Sequence, residues 1–129
     1  MSDENVSILI VDDEEPIRKL LASYLGASYT CVTAEDAEKA KGLLAASSFN
    51  LVLTDITMPG ASGIELCEHI SATYKGTVVI IISAQAGDQQ SNEANRCHAF
   101  DFIAKPFDLS TVLSTVKRAL SYQAEREGD

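Results

Sequence analysis

Apolar runs alternate along this chain with segments whose apolar residues recur three and four positions apart. The runs span residues 6–11, 29–33, 49–54, 77–82 and 100–105. Each is short, and those over 6–11 and 77–82 are rich in Val and Ile, as strands buried on both faces are. Between the first two runs, Ile17, Leu20, Leu21, Tyr24 and Leu25 line one helical face, with Pro16 in the first turn and Gly26 as the stop. An Ala- and Lys-rich helix is predicted over 34–46, closed by Ser47-Ser48. A third helix runs to about residue 74 from a long Pro-Gly turn, with Ser62 and Glu65 spaced as in a capping box. Residues 85–98 are polar and poor in apolar anchors, which predicts a short, loosely packed fourth helix. The last helix, over 108–123, carries Leu109, Val112, Leu113, Val116, Ala119 and Leu120 on one face. Strand–helix alternation of this kind builds a parallel sheet with helices on both faces. Five strands and five helices fill the chain, with the 77–82 run placed centrally.

Four of the five runs end at a polar residue with useful chemistry: Asp12-Asp13, Asp55, Ser83 and Lys105. In a parallel sheet the C-terminal strand ends lie together at one edge. Residues dozens of positions apart therefore meet in one crevice holding three carboxylates, a hydroxyl and an ammonium. Three carboxylates at close range stay ionised only beside a cation. The pattern implies a divalent metal site next to a phosphorylatable group. The 29–33 run ends without such a group and is expected at the sheet edge, away from the crevice.

Size and charge narrow the function classes. With 129 residues the chain makes one domain and needs no staples. Ten Lys and Arg against 19 Asp and Glu give a net charge of −9, which argues against nucleic-acid or anionic-membrane binding. Cys31, Cys67 and Cys97 are odd in number and lack metal-site spacing, the pattern of reduced core thiols. No apolar stretch is long enough to span a bilayer and the first five residues are acidic, so a cytoplasmic location is expected.

The chain resembles the receiver domain of two-component response regulators. The matching pieces are Ile10-Val11-Asp12-Asp13-Glu14, Asp55-Ile56-Thr57-Met58-Pro59-Gly60 with Ser62-Gly63, Ile82-Ser83-Ala84, and Phe102-Ile103-Ala104-Lys105-Pro106-Phe107. They occur in order, each at a predicted strand end. The resemblance implies a doubly wound (βα)5, flavodoxin-like α/β fold with strand order 2-1-3-4-5. It implies a receiver domain over 1–124, its core about 5–122, and a short acidic tail or linker start at 125–129. Asp55 would be the phospho-acceptor, taking a phosphoryl group from a sensor histidine kinase or a histidine phosphotransfer protein. Asp13, Asp55 and the backbone carbonyl of Thr57 would hold Mg²⁺, for which Mn²⁺ could substitute, with Asp12 acting through bound water. Lys105, followed by a cis bond to Pro106, would pair with the phosphoryl oxygens. Ser83 and Phe102 would be the switch residues, while Thr57 and Gln85 would tune phosphoryl lifetime. The face made by the fourth helix, fifth strand and last helix would engage an output domain or partner protein, the chain being a monomer or a phosphorylation-dependent dimer. The domain would be a signalling module rather than an enzyme.

The chemistry is consistent with those roles. A carboxylate approaching a phosphoryl anion at ~4 Å meets about 4 kcal/mol of repulsion at an effective dielectric of 20. A divalent metal and Lys105 offset it. Two other readings compete: an interaction module that is never phosphorylated, and a phosphatase of the haloacid dehalogenase type. The latter wants its nucleophile on the first strand in an Asp-x-Asp arrangement plus a cap insertion, and neither is present. The chain departs from the family pattern at Phe102, where Tyr is frequent, and at His98, where Gly is usual.

Overall fold

The computed structural model describes residues 6–56, 62–83 and 97–128. The elements in chain order are β1 (Ser7–Val11), α1 (Glu15–Leu25), β2 (Thr30–Ala34), α2 (Ala37–Ala46), β3 (Leu51–Asp55), α3 (Gly63–Thr73), β4 (Val78–Ser83), β5 (Asp101–Ala104) and α4 (Leu109–Gly128). All neighbouring strands pair in parallel, in the order β2-β1-β3-β4-β5. The sheet therefore has the order expected from the sequence, with β2 at an edge. Among the described residues there are four helices. The helix expected over 85–98 falls mostly on residues 84–96, outside the described part, and Cys97-His98 form a turn.

Period-two alternation divides the strands' side chains between two cores. On one face Ile8, Ile10, Leu51, Leu53, Ile80, Ile82 and Ile103 pack against Leu21 and Leu25 of α1 and Val112, Val116 and Ala119 of α4. On the other, Leu9, Val11, Val52, Val79 and Ile81 pack against Ala37, Ala40 and Leu44 of α2 and Ile64, Leu66, Cys67 and Ile70 of α3. Every residue of β3 and β4 is buried, which explains their unbroken apolar sequences. β4 is interior but lies one strand in from the edge, and β3 holds the middle.

Local signals set the helix starts. Pro stands in the first turn of α1, where a missing N–H leaves no carbonyl unpaired. Asp36 caps α2, accepting from the Lys39 amide at 2.8 Å, so this helix begins three residues later than the sequence suggested. The oxygen of Ser62 accepts from the Glu65 amide at 3.2 Å and caps α3 as expected. Gly26 closes α1 at φ −63°, without a left-handed turn.

Candidate functional site

The strand parity that builds the α1–α4 core also assembles the site. Continuing each strand by one step of two leads from Ile10 to Asp12, from Leu53 to Asp55 and from Ile103 to Lys105. Three charged side chains thus extend one apolar layer past the C-terminal edge of the sheet. The ammonium of Lys105 donates to Asp12 Oδ2 at 3.1 Å, to Asp55 Oδ2 at 3.3 Å and to Glu14 Oε2 at 3.3 Å. Asp12 and Asp55 are buried, whereas Asp13 and Glu14 are exposed on the rim.

Backbone bonds fix each strand end. The Asp12 amide donates to Ala34 across the β1–β2 edge, and Asp12 Oδ1 accepts from the Glu14 amide at 2.9 Å. Asp12 therefore shapes the turn into α1 while facing Lys105, combining its structural and site roles. Beyond Asp55, the Ile56 amide donates to Ile82 and the Gly63 amide to Ile56, which folds the start of α3 back over β3. A Cβ at Gly63 would overlap the Asp55 carbonyl, so the close approach of α3 requires glycine here. The Lys105 amide donates to Ser83 at 2.7 Å, and the Lys105–Pro106 bond is cis.

Ser83 and Phe102 lie on the other face. Phe102 is paired in register with Ile81, and Ser83 with Ala104, so Ser83 is the diagonal neighbour of Phe102 on the α2–α3 side. Ser83 is fully buried, and Phe102 packs against that core. Thr57 and Gln85 fall outside the described residues. The structure thus brings together Asp12, Asp13, Asp55 and Lys105, with Ser83 one register step past the Ile82–Asp55 pair.

Two participants escaped the sequence reading. Glu14 had a visible signal, being the third acid in a row, yet only the fold shows its carboxylate reaching Lys105. Arg18 had none: its guanidinium crosses six positions to donate to the Asp12 carbonyl at 2.8 Å.

The electrostatics are unbalanced toward negative charge. Burial raises the Asp12 carboxyl above its ordinary range and the Asp55 charge adds to this, while the Glu14 amide and Lys105 pull the other way without prevailing. Burial works against the Lys105 ammonium, but Asp12 and Asp55 outweigh it and raise its pKa. The Lys105 ammonium pairs with Asp12, Glu14 and Asp55, and Asp13 brings a fourth carboxylate, the four ligand oxygens lying within 4.8 Å of one another. An all-oxygen, acid-rich set of that size suits a hard divalent cation such as Mg²⁺.

Comparison with known proteins agrees with this geometry. Residues 8–117 match the response regulator receiver domain family. The chain is 34% identical over 121 residues to the DNA-binding transcriptional regulator NtrC of Salmonella typhimurium, covering 93% of this chain and 26% of that protein. It is 40% identical over 121 residues to the transcriptional regulatory protein ResD of Bacillus subtilis, covering 88% and 47%. The chain thus spans about a quarter to a half of the lengths of these relatives. Among solved structures, a CheY-like receiver domain protein of Methanospirillum hungatei superposes with a TM-score of 0.89 at 28% identity, covering 94% of this chain and 98% of that one. The Thermotoga maritima response regulator TrrA, in complex with Mg²⁺-BeF, does so with a TM-score of 0.80 at 31% identity, covering 88% and 98%. The fold and the strand-end site together define a two-component signalling domain. The chain belongs to the response regulator receiver domain family. Among the described residues no helix is long and apolar enough to cross a membrane.

Proposed function

We propose that Asp55 accepts a phosphoryl group from a phosphohistidine and that the modified site is read by a change on the β5–α4 face. The observation carrying this reading is the Lys105 ammonium, held 3.3 Å from Asp55 and 3.1 Å from Asp12 at adjoining strand ends. An Asp55 oxygen attacks phosphorus, the P–N bond to the donor imidazole breaks, and an acyl phosphate remains on the chain. The imidazole leaves with the bonding electron pair and takes a proton from solvent. Lys105 loses little by exchanging a carboxylate partner for a phosphoryl oxygen, since either is a charge-assisted bond. Asp12, Asp13 and Asp55, with the Thr57 carbonyl, would hold Mg²⁺; when bound, that ion supplies the positive charge that lets two anions meet. Ser83, at the end of β4, would hydrogen-bond a phosphoryl oxygen, and its diagonal neighbour Phe102 would turn into the space this opens.

A change from 1:99 to 99:1 between two states requires ~5.5 kcal/mol of differential stabilisation. Several charge-assisted bonds to a dianion supply energy of that order. Thr57 and Gln85 would set phosphoryl lifetime by admitting or orienting water. The donor would be a sensor histidine kinase or histidine phosphotransfer protein, and the reader an output domain or separate partner. Relatives named as transcriptional regulators support such a reader.

The test is labelling with acetyl phosphate in the presence and absence of Mg²⁺, with mapping of the modified residue. Stoichiometric Mg²⁺-dependent labelling at Asp55, lost in Asp55→Asn, is the expected result. No labelling would favour a silent interaction module, and repeated ester hydrolysis would favour a phosphatase.

A further inference from the structure

Two thiols that the phosphoryl chemistry does not use lie side by side on the α2–α3 face. Cys67 on α3 is fully buried and Cys97, in the turn before β5, is 1% exposed. Each thiol shifts the other's acidity, Cys67 upward and Cys97 downward, as groups packed close together do. The Cys97 carbonyl also accepts from the Cys67 thiol at 3.2 Å and from the Ser71 hydroxyl at 2.8 Å. Two donors one helical turn apart on α3 therefore clamp the Cys97 backbone, and both cysteines belong to one packed core. Cys31 packs in the core on the opposite side of the sheet and is not their partner.

We propose that Cys67 and Cys97 are a redox-responsive dithiol whose closure to a disulfide ties α3 to the turn entering β5 and restrains the switch face. The pair has a built-in asymmetry. The Cys67 thiol, with the Ala99 amide, stabilises a thiolate on Cys97 against the cost of burial and lowers its pKa, while that of Cys67 is raised by Cys97 and by burial. Cys97 is the nucleophile and Cys67 the resolving thiol. With a small peroxide as oxidant, admitted by local opening of the Cys97-His98 turn, the Cys97 sulfur attacks one oxygen, the O–O bond breaks, and a sulfenic acid and one water form. The Cys67 sulfur then attacks the Cys97 sulfur; the S–O bond breaks, and the oxygen departs as a second water carrying the Cys67 proton. Two thiols are oxidised to one disulfide, and the peroxide is reduced to water.

The bond would close a ring that contains all of β4 and Ser83, across a sequence separation of 30. Phe102 packs against the core that holds both cysteines. A covalent tie here opposes any movement of β5 away from α3. This regulatory half rests on the phosphoacceptor reading above.

The disulfide is tested on the full wild-type chain, treated with hydrogen peroxide and compared with a reduced control. A mass loss of about 2 Da is expected, reversed by a reducing agent, with Cys67 and Cys97 recovered in one cross-linked peptide pair under non-reducing digestion. Cys31→Ser should behave identically. A bond through Cys31, sulfinic acid formation without a cross-link, or no mass change would overturn the proposal. The regulatory half is read by hydrogen exchange over residues 101–104 on acetyl phosphate treatment. The response of the oxidised protein should be smaller by about twofold or more. Equal responses in labelled protein of both redox states would overturn that half. Absence of labelling in the reduced protein would overturn the phosphoacceptor reading and the regulatory half with it, while the peptide map still decides the disulfide.

Discussion

The Lys105 ammonium and the Asp12 carboxylate, 93 residues apart in sequence, meet at 3.1 Å across the C-terminal edge of the sheet. Burial opposes the Lys105 charge, yet its carboxylate partners raise its pKa above the ordinary lysine value. A raised folded-state pKa contributes stability that is complete below the unfolded value, about 10.4, and is lost as pH rises through the folded one. Metal-free wild type should therefore lose stability relative to Lys105→Ala above about pH 10. Below that range the variant should be less stable by about 2 kcal/mol, the scale of a charge-assisted hydrogen bond. Urea melts of both proteins across the pH range provide the measurement. If Lys105 also transmits the phosphorylated state, Lys105→Ala should still label at Asp55 without the hydrogen-exchange change over 101–104.

Asp12 predicts the opposite sign. Its carboxyl is raised by burial first and by the Asp55 charge after, so its ionised form weakens the metal-free protein. That penalty is full above the folded-state pKa and disappears as pH falls below the unfolded value. Asp12→Asn keeps an oxygen for the Glu14 amide and removes the charge. It should raise the melting temperature of metal-free protein by roughly 4 °C near neutral pH, with the gain shrinking in acid. Added Mg²⁺ should stabilise wild type through binding linkage and do so much less in the variant. An Asp12→Asn protein that melts below wild type in the absence of metal would show that its pairing with Lys105 outweighs its burial.

Gly63 bears on Asp55 through backbone alone. A methyl group there would meet the Asp55 carbonyl and the Ile56 Cα, neither of which is the far end of a flexible side chain. Gly63→Ala should destabilise the domain by about 3 kcal/mol, as overpacking does. It should also slow labelling at Asp55. Ser62→Ala, which removes only the cap of α3, should cost about 1 kcal/mol and leave labelling intact. Equal labelling rates in the two variants would contradict the positional role given to Gly63.

His98 occupies a left-handed turn, with φ 66°. The sequence flagged this position because receiver domains usually carry glycine there, and the fold retains the turn. A side chain in that region costs roughly 1 kcal/mol that glycine avoids. His98→Gly should therefore stabilise the protein by about that amount, read as a shift in denaturant midpoint. A loss of stability would mean that the imidazole makes compensating interactions.

Much of this site was legible along the chain. The runs ending at Asp12-Asp13, Asp55, Ser83 and Lys105 were enough to infer one crevice, because parallel strands end together. The capping pair Ser62 and Glu65 marked the start of α3, since a cap is a local hydrogen bond between near neighbours. Strand limits moved by one or two residues, as at β3, which reaches Asp55 and starts two residues later than expected. Glu14 was visible but had no assigned partner, because whether a rim carboxylate reaches an ammonium depends on how α1 leaves β1. Arg18 and the Cys67–Cys97 contact carried no signal, since both depend on distances between elements.

The sequence by itself determined the parallel strand–helix alternation, the charged strand ends and the Ser62 cap of α3. Those follow from period, burial and backbone sterics within a few residues. Only the tertiary structure decided that Lys105 serves three carboxylates at once and that Ser83 and Phe102 share the face opposite the charges. It also placed the Cys67 thiol of α3 against the Cys97 carbonyl in the turn before β5. Each of these is a matter of strand parity and packing between elements, in which a one-residue slip would send the side chain to the other face.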